Sequence, residues 1–382
     1  GAREQLGALK GGLARTYRVL PENLRLSMVC PPALHLTHEI SEFVSNVEAY
    51  NRKVARSRSR IMQQVRMCLQ RLFPCSQVQM FGSVACGMAL PSSDLDCYFQ
   101  HRDGANAEGI CDRMHMGDWC GFCMAQFAPL RQLELLQEEL YRQQWVSDIV
   151  LVRSAAMPVL RFLATPYAWS DADAGGLVGV TVDVTCGMAP LHSQGADTEL
   201  VRAFTRAYPP LVPLALVVKQ YLKECRLSDP FSGGIGSFAL VLLIVRYLQM
   251  EEDPRAGRGR GQGRASSVDG DRGSRFQELK HMLKRTHHTS NSGEHLLGFL
   301  HFFGFEFPGQ YAGIDVRGSG ALLPRRAPPA GNPYNDPSAR PSADGAAAPS
   351  VFTIINPLDP ARNVAAGAFN IGAVFEAFRK AA

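Results

Sequence analysis

Two aspartates lie one residue apart in the mainly apolar segment 94–100, DLDCYFQ. The alternation of Leu95 and Phe99 with polar positions predicts a β-strand, because successive side chains of a strand point to opposite faces. Asp94 and Asp96 then share one face, and two like charges this close together require a counter-ion. Divalent magnesium fits that need, since it binds oxygen ligands and tolerates partial hydration.

A third carboxylate is available in the later segment 177–186, LVGVTVDVTC. The valines at every second position predict one buried strand face, and Asp183 lies on the other face beside Thr181 and Thr185. A carboxylate in a valine-rich strand is costly unless it is paired or binds a metal ion. The pattern therefore predicts that Asp183 completes a metal site with the two earlier aspartates.

A glycine–serine pair precedes the aspartate strand. Gly82 allows the backbone to come close to a phosphate, and Ser83 offers both its N–H and its hydroxyl as donors. The metal-binding segment begins eleven residues after Ser83. This spacing predicts a phosphate-binding turn beside a metal site, which is the combination that phosphoryl-type transfer from a nucleoside triphosphate requires.

Composition sets the broad limits. A chain of 382 residues with 46% hydrophobic content can form two or three domains with full cores, and a formal charge of +5 suits an anionic partner. The ten cysteines are spread along the chain, which favours reduced thiols over a disulfide framework. No apolar run approaches the ~20 residues that cross a bilayer, so no membrane partner is expected. The chain begins at Gly1, and the sequence leaves open whether a targeting peptide precedes it.

Hydrophobic periodicity predicts an α+β fold in which a sheet region precedes a helical region. One or two amphipathic helices are predicted over 41–73. Strands are predicted at 78–82, 94–100, 148–153, 159–164 and 178–186, with a helix at 129–143. Nearly everything from 197 onward is predicted to be helical, at 197–207, 210–226, 235–250, 275–285, 291–303 and 368–380.

The same pattern predicts the domain organisation. After an N-terminal extension at 1–29, a catalytic sheet domain covers 30–196 and a mostly helical domain covers 197–382, with a cleft between the two. The catalytic domain carries an inserted subdomain at 102–145. Two segments rich in Gly, Pro, Ala, Ser and Arg are predicted to be flexible loops without secondary structure, 252–274 and 318–350.

The motif FGS, followed by ten residues, DLD and a later lone strand aspartate, resembles the signature of the DNA polymerase β-like nucleotidyltransferases. The helical half narrows the resemblance to the non-canonical poly(A) polymerases and terminal uridylyltransferases. Chain length, basic charge and the segment near 102–130 look most like the trypanosomatid mitochondrial uridylyltransferase associated with editosome-like complexes. The resemblance implies a mixed-sheet nucleotidyltransferase domain followed by a helical base-recognition domain.

The resemblance also assigns nucleotide contacts in the helical half. Lys219 and Lys223 lie four residues apart in PLALVVKQYLKECRL and match the lysines that bind the triphosphate in the family. Ser237 and Phe238 match a Gly-Ser-aromatic helix start, in which the serine binds phosphate and the ring stacks on the base.

Two further motifs match with departures. Asp197 and Thr198, at the expected start of a helix, take the place of an Asn-Ser or Asn-Thr pair that contacts ribose and phosphate in the family. Asn356, Asp359 and Asn363, in FTIINPLDPARN, match the nucleotide-recognition motif. An amide at 356 both donates and accepts hydrogen bonds, so it suits the edge of a pyrimidine.

The resemblance implies an RNA uridylyltransferase that adds UMP from UTP to RNA 3′-hydroxyl ends, with two Mg²⁺ or Mn²⁺ ions held by the catalytic Asp94, Asp96 and Asp183. The expected partners are the RNA 3′ end, UTP and an RNA-editing-type protein complex, and the expected compartment is the mitochondrial matrix. Two alternatives stay open at this stage. One is adenylyl transfer from ATP on the same scaffold, and the other is a catalytically silent protein that binds RNA or a complex.

A separate cluster of metal-binding residue types lies in the inserted segment. Cys111, His115, Cys120 and Cys123 have the spacing C-x3-H-x4-C-x2-C, which provides enough donors for a structural zinc ion. The spacing matches no common zinc module, so the alternative is a small packing subdomain with ordinary buried thiols.

Overall fold

The computed structural model describes residues 32–74, 76–101, 128–153, 158–165, 178–186, 193–252, 291–307, 311–324 and 352–382. They divide into two compact units. The unit Ser45–Arg202 is called the sheet unit here, and the chain up to Val44 together with the chain from Ala203 onward is called the helical unit. The predicted domains differ from this division, because the residues before Ser45 group with the C-terminal half and 197–202 stay with the sheet.

The described part of the sheet unit is built on a five-stranded sheet with the order β1-β2-β5-β4-β3. Strands β2 and β5 are parallel, and the other neighbouring pairs are antiparallel. Each predicted strand is confirmed to within two residues at either end. The strands are β1 Ser76–Met80, β2 Leu95–His101, β3 Val146–Val152, β4 Val159–Ala164 and β5 Val180–Cys186.

Among the described residues of this unit, the helices over 32–72 and 129–140 supply buried apolar side chains to the core that covers the sheet. Helix α1 runs from Pro32 to Leu72 as one helix, where one or two were predicted over 41–73. A single turn, α2 Gly82–Ala85, follows β1, and α3 covers Pro129–Leu140. Fully buried side chains of α1, such as Ile61 and Leu69, share one core cluster with the strands.

Helix α3 lies within the predicted insertion at 102–145 and belongs to the same core. Leu133, Leu136 and Leu140 are at most 1% exposed, because their helical spacing forms an apolar stripe that packs against the strands. The described residues from 128 onward are therefore part of the sheet unit's own core. Residues 102–127 lie outside the described ranges.

The helices of the second half confirm most of the predicted positions. Helix α6 is apolar on all sides and is buried from Ala239 to Gln249, as expected for a central helix. The predicted helix at 275–285 lies outside the described residues. The helices are α4 Ser193–Ala207, α5 Leu211–Glu224, α6 Ser237–Glu252, α7 Ser292–His301 and α8 Ile371–Ala381, with a 3₁₀ turn at Pro230–Ser232 and a π-helical turn at Phe302–Glu306.

A small sheet in the helical unit was missed, so the prediction that nearly everything after 197 is helical was wrong. Strands β6 Tyr311–Asp315, β7 Ala321–Pro324 and β8 Thr353–Ile354 pair in the order β7-β6-β8. Strand β7 also falls in the segment 318–350 that was predicted to be an unstructured loop. A Cβ atom at Gly313 would overlap the carbonyl oxygen of Thr353, so this close pairing depends on a glycine.

The described cysteines form no disulfide bond with one another. Cys68, Cys97 and Cys186 are buried, Cys86 and Cys225 are half-buried, and all five are thiols. Burial raises the pKa of the Cys68 thiol to about 11 and that of Cys186 to about 12, so these thiols stay protonated and unreactive near neutral pH. Within the described ranges, no helix combines the length and apolarity needed to cross a bilayer.

An aromatic cluster fills the core between α7, α8 and the π-helical turn. Phe299, Phe303, Phe307 and Phe375 are at most 6% exposed, and their neighbouring ring centroids lie 5.0–6.2 Å apart. Phe305 lies on the same turn but is 54% exposed. Stability of the helical unit is therefore expected to depend on the buried rings.

We expect Phe307→Ala to lower the free energy of unfolding by about 3–5 kcal/mol, because it removes buried apolar area and leaves a cavity. Phe305→Ala is the matched control and should change it by less than about 0.5 kcal/mol. Chemical denaturation followed by circular dichroism measures both. Equal decreases in the two variants would contradict the assignment of Phe307 to the core.

Candidate active site

The three predicted carboxylates lie at neighbouring positions on the main sheet. Asp94 immediately precedes β2, and Asp96 is its second residue. Because β2 and β5 are parallel, Asp96 lies directly in register with Asp183. Leu95 and Phe99 on β2 are fully buried, which confirms that the aspartates occupy the opposite face of this strand. The structure therefore brings together the carboxylates that the sequence separates by almost ninety residues.

An arginine that the sequence analysis did not single out joins this group. Arg161 is the register partner of Asp183 on strand β4. Its Nε and Nη2 atoms donate to the two carboxylate oxygens of Asp183 at 2.8 and 2.6 Å, and Nη2 lies 3.5 Å from Oδ2 of Asp94. The hydrogen bonds to Asp183 raise the pKa of Arg161, and the nearby charges of Asp94 and Asp96 add to that shift. The guanidinium therefore offsets part of the negative charge of the cluster.

Strand parity was the signal that could have identified Arg161. Its neighbours Leu160 and Phe162 in VLRFLA are fully buried, so Arg161 must point to the opposite face. What the strand alone could not show is the antiparallel pairing of β4 with β5, which places this face beside Asp183.

The chemistry of the donors fits a divalent cation, but the arrangement is not a closed metal site. Carboxylate oxygens are the ligands that Mg²⁺ and Mn²⁺ prefer. Among the described residues, however, no three His, Cys, Asp or Glu side chains are grouped as ligands of one ion. Both oxygens of Asp183 are engaged by Arg161. Asp94, Asp96 and Asp183 are thus the residues that would hold a cation, and Arg161 is the group that competes for Asp183.

Gly82 touches the carboxylate cluster directly. It has a left-handed backbone conformation, φ +70°, and a Cβ atom at this position would overlap Oδ2 of Asp96. The N–H of Phe81 donates to the Asp96 carbonyl at 3.1 Å, and the N–H of Met88 donates to the Ser83 carbonyl at 2.9 Å. The glycine was predicted for approach to a phosphate, and the structure shows a second reason for it, which is the packing of the turn against Asp96.

The predicted helix start at Asp197 and Thr198 is wrong in position. Helix α4 begins at Ser193, so both residues lie inside it and neither one caps it. Thr198 is buried, and its carbonyl accepts a weak hydrogen bond from the Cys86 thiol at 3.8 Å. Their contact with ribose or phosphate stays a prediction.

The predicted phosphate contacts of the helical unit differ in exposure. On α5, Lys219 is 9% exposed and Lys223 is exposed, so the two lysines do not present equivalent ammonium groups to solvent. Ser237 is the first residue of α6 and is exposed, and Phe238 beside it is half-buried. A serine at the first position of a helix is well placed to bind an anion, because the N–H groups of the first turn have no partner within the helix.

The asparagines of the predicted base-recognition motif make hydrogen bonds within their own segment. Asn356 is fully buried, and its Oδ1 accepts from the N–H groups of Leu358 and Asp359 at 2.8 and 3.3 Å. Asn363 accepts from the Ile354 N–H at 2.9 Å and donates to the Phe352 carbonyl at 3.0 Å. The acceptor atom of Asn356 is thus engaged by the backbone, whereas its Nδ2 is buried and has no hydrogen-bond partner among the described residues, so contact of this motif with a base stays a prediction. Asp359 is exposed.

The cysteine and histidine cluster predicted as a structural zinc site lies outside the described residues. That cluster consists of Cys111, His115, Cys120 and Cys123. The zinc assignment therefore stays a prediction.

We expect Arg161→Met to make the thermal stability of the protein depend more strongly on MgCl₂. Without the guanidinium the three carboxylates repel one another, and a divalent cation gains unhindered access to Asp183. The melting temperature should fall without added salt and rise further on addition of MgCl₂ than it does in the wild type, each 1 kcal/mol being worth roughly 2–4 °C. Arg153→Met, an exposed arginine paired with Glu134, is the control. Equal magnesium-dependent shifts in the two variants would refute the competition.

Comparisons with known proteins agree with this geometry. Residues 36–187 match the family model described as poly(A) RNA polymerase, mitochondrial-like, central palm domain. Poly(A) RNA polymerase protein 2 of Saccharomyces cerevisiae is 24% identical over 56% of this chain and 31% of its own length. The inactive non-canonical poly(A) RNA polymerase protein Trf4-2 of Drosophila melanogaster is 26% identical over 57% of this chain and 45% of its own length. The chain therefore spans less than half the length of these relatives.

A solved structure of the Cid1 poly(U) polymerase is similar in fold. It aligns with a TM-score of 0.58 over 92% of this chain and 93% of its own, at 18% sequence identity. The fold is accordingly the α+β nucleotidyltransferase fold that the sequence predicted. Residues 36–187 are thus similar to the central palm domain of mitochondrial-like poly(A) RNA polymerases, and the solved structure shows a likeness of fold.

Proposed function

We propose that the protein is a template-independent RNA nucleotidyltransferase that adds UMP from UTP to RNA 3′-hydroxyl ends. The observation that carries the proposal is the grouping of Asp94, Asp96 and Asp183 on neighbouring strands, with the turn at Gly82 packed against Asp96. Relatives named as poly(A) RNA polymerases and a fold neighbour named as a poly(U) polymerase support RNA nucleotidyl transfer.

In the proposed reaction, the acceptor 3′-oxygen forms a bond to the α-phosphorus of the triphosphate. The bond from that phosphorus to pyrophosphate breaks, and the hydroxyl proton passes to solvent. Asp94, Asp96 and Asp183 would hold divalent cations, which when bound lower the pKa of the hydroxyl and neutralise phosphate charge. Gly82 and Ser83 would donate hydrogen bonds to the phosphates from the adjoining turn.

Arg161 has a positioning role in this proposal. Its two hydrogen bonds hold the carboxylate of Asp183 in one orientation on the sheet. Because Arg161 is about half exposed, its side chain can move toward solvent when Asp183 takes another partner. In the helical unit, Lys219, Lys223 and Ser237 are kept as proposed phosphate contacts, and Phe238 as a proposed stacking surface.

The choice of UTP is the finer part of the proposal. It rests on the motif resemblance to terminal uridylyltransferases and on the fold neighbour named as a poly(U) polymerase. Adenylyl transfer is the second candidate, and the relatives named as poly(A) RNA polymerases favour it. The resemblance to trypanosomatid mitochondrial uridylyltransferases, the matrix location and an RNA-editing-type complex are proposed on the sequence motifs alone.

A catalytically silent protein is the third possibility, and one relative is named as inactive. The carboxylate trio of this chain argues against it. Asp96 and Asp183 are charged groups placed side by side on parallel strands, which is costly unless the cluster has a use. A protein that only bound RNA would gain nothing from that repulsion.

The test measures whether the purified protein extends a labelled single-stranded RNA that has a free 3′-hydroxyl. Mg²⁺ is present, and each nucleoside triphosphate is supplied in turn. We expect UTP to be used best and Asp183→Asn to lower the rate by at least about 10³-fold, since it removes a charge from the metal-binding group. Asp148→Asn is the matched control. Asp148 is an exposed acid on the same sheet, with φ 53°, a conformation that asparagine also adopts.

Each outcome of this assay separates the candidate functions. Preferred use of ATP would replace the uridylyl proposal by the adenylyl one. Absence of extension with every triphosphate would leave only the silent protein. An Asp183→Asn variant that extends RNA as fast as Asp148→Asn would remove the carboxylate scheme itself.

A second pair of variants tests the packing of the glycine turn against the carboxylates. We expect Gly82→Ala to reduce nucleotide addition by at least about 100-fold, because the methyl group would displace the Asp96 carboxylate. Gly318→Ala is the control, since its φ of +63° is similar but a Cβ atom there would have no neighbour within 4 Å. Both variants should lose about 1 kcal/mol of stability from backbone strain. Equal activities would show that strain, and not the packing against Asp96, matters.

A further inference from the structure

A cavity of about 610 Å³ lies within the sheet unit, along helix α1. We call it the α1 pocket, because most of its lining residues belong to that helix. The rest come from the end of β1 and from the turn that contains α2 and the residues after it. The lining residues are Glu48, Asn51, Arg52, Ala55, Arg58, Ser59, Met62, Arg66, Met80, Val84, Gly87 and Ala89.

Arg58 in this pocket is a buried charge whose hydrogen-bond partner is neutral. It is 7% exposed, and its Nη1 donates to the side-chain oxygen of Asn51 at 2.8 Å. Its Nε is buried and has no hydrogen-bond partner within the described part of the chain. Burial lowers the pKa of Arg58, and the charge of Tyr50 acts in the opposite direction. A buried guanidinium is costly unless an anion compensates it.

The acidic residue in the lining is paired with another arginine. Glu48 is exposed, and its carboxylate lies 3.6 Å from the guanidinium of Arg52. This separation is typical of a surface ion pair, which contributes little to stability. Arg58 therefore differs from Arg161, whose charge is met directly by Asp183.

The rest of the lining combines positive charge with apolar surface. Arg52 and Arg66 are exposed on α1, and Met80 is 44% exposed at the end of β1. Met62 and Val84 add apolar side chains. Phosphate groups pair with guanidinium groups, and the faces of nucleobases pack on apolar and thioether surfaces. The lining thus suits a ligand that carries both a phosphate group and a nucleobase.

The position of the pocket links it to the candidate active site. Met80 and Val84 lie on either side of the turn formed by Phe81, Gly82 and Ser83, whose glycine touches Asp96. The wall is fixed to α1, because Asn51 Nδ2 donates to the Ala89 carbonyl at 2.7 Å. An RNA strand that lies in the pocket would therefore pass close to the carboxylate cluster.

We propose that the α1 pocket binds a phosphodiester and an adjoining base of single-stranded RNA, with Arg58 as the buried anion-binding group and Arg52 and Arg66 at its rim. The proposal rests on the function proposed above in one respect, because that function identifies the bound nucleic acid as the acceptor RNA. An acidic peptide is less suited to the pocket, since it offers carboxylates but no flat apolar surface for Met80 and Val84.

The test is direct binding of a fluorescein-labelled single-stranded RNA to the full chain, measured by anisotropy over a range of salt concentrations without any nucleoside triphosphate. The variant Arg52→Ala/Arg66→Ala changes only exposed side chains, so it keeps the fold. We expect its affinity to fall roughly tenfold and the slope of log K against log salt to decrease by about 1.4, which is about 0.7 for each phosphate that is no longer neutralised. Arg71→Ala/Arg142→Ala, two exposed arginines paired with Glu139, is the control of equal charge change.

Arg58→Met tests the buried group itself. It should weaken RNA binding, and its melting temperature without RNA should stay close to that of the wild type, because the absence of one hydrogen bond is offset by removal of an uncompensated buried charge. If Arg58→Met unfolds, the Arg52→Ala/Arg66→Ala variant is the test of the proposal. The proposal would be overturned if the Arg52→Ala/Arg66→Ala variant had the same RNA affinity and the same salt slope as the Arg71→Ala/Arg142→Ala control.

Two further outcomes are distinguished. In the first, polyglutamate displaces RNA from the wild type, and the Arg52→Ala/Arg66→Ala variant no longer binds polyglutamate but still binds RNA. The occupant is then an acidic protein, and the proposal fails. If the wild type binds RNA through this pocket but extends it with no triphosphate, the proposed function fails and the pocket proposal stands.

Discussion

Repulsion among three carboxylates on one face of a sheet is the constraint on which the rest of the sheet unit depends. Like charges on neighbouring strands repel one another, so such a cluster requires compensating charge and a firmly held fold. Here the buried, alternating side chains of β2 and β5 hold the strands in parallel register. Arg161, from the antiparallel neighbour β4, then supplies compensating charge through two hydrogen bonds to Asp183.

The sheet unit uses one buried and one exposed arginine in two different ways. Arg161 pairs with the Asp183 carboxylate and orients it, so its positive charge is compensated within the chain. Arg58 is more deeply buried and donates to a neutral amide, which leaves positive charge at the lining of a cavity. The turn around Gly82 lies between these two environments, since its glycine touches Asp96 and its flanking residues line the α1 pocket. This turn therefore contributes both to the packing around Asp96 and to the lining of the α1 pocket.

The helical unit shows how a recognisable motif can serve the fold itself. Asn356 and Asn363 were predicted to belong to a nucleotide-recognition motif, and both side chains accept hydrogen bonds from backbone groups of the same segment. The small sheet beside them is held by Gln249 of α6, whose amide donates to the Val316 carbonyl at 2.9 Å. These hydrogen bonds stabilise the local backbone, while the buried Nδ2 of Asn356 has no hydrogen-bond partner among the described residues.

The sequence alone determined the α+β class, the main strands and the three aspartates, because period-two burial and the cost of a charge in an apolar strand are local properties that can be read along the chain. It did not determine the small sheet of β6, β7 and β8, whose strands are short and depend on pairing partners distant in sequence. Only the tertiary structure decided that Asp96 faces Asp183, that Arg161 joins them and that Arg58 is buried beside a neutral amide. These depend on strand order and on helix packing, which bring together residues that no local pattern connects.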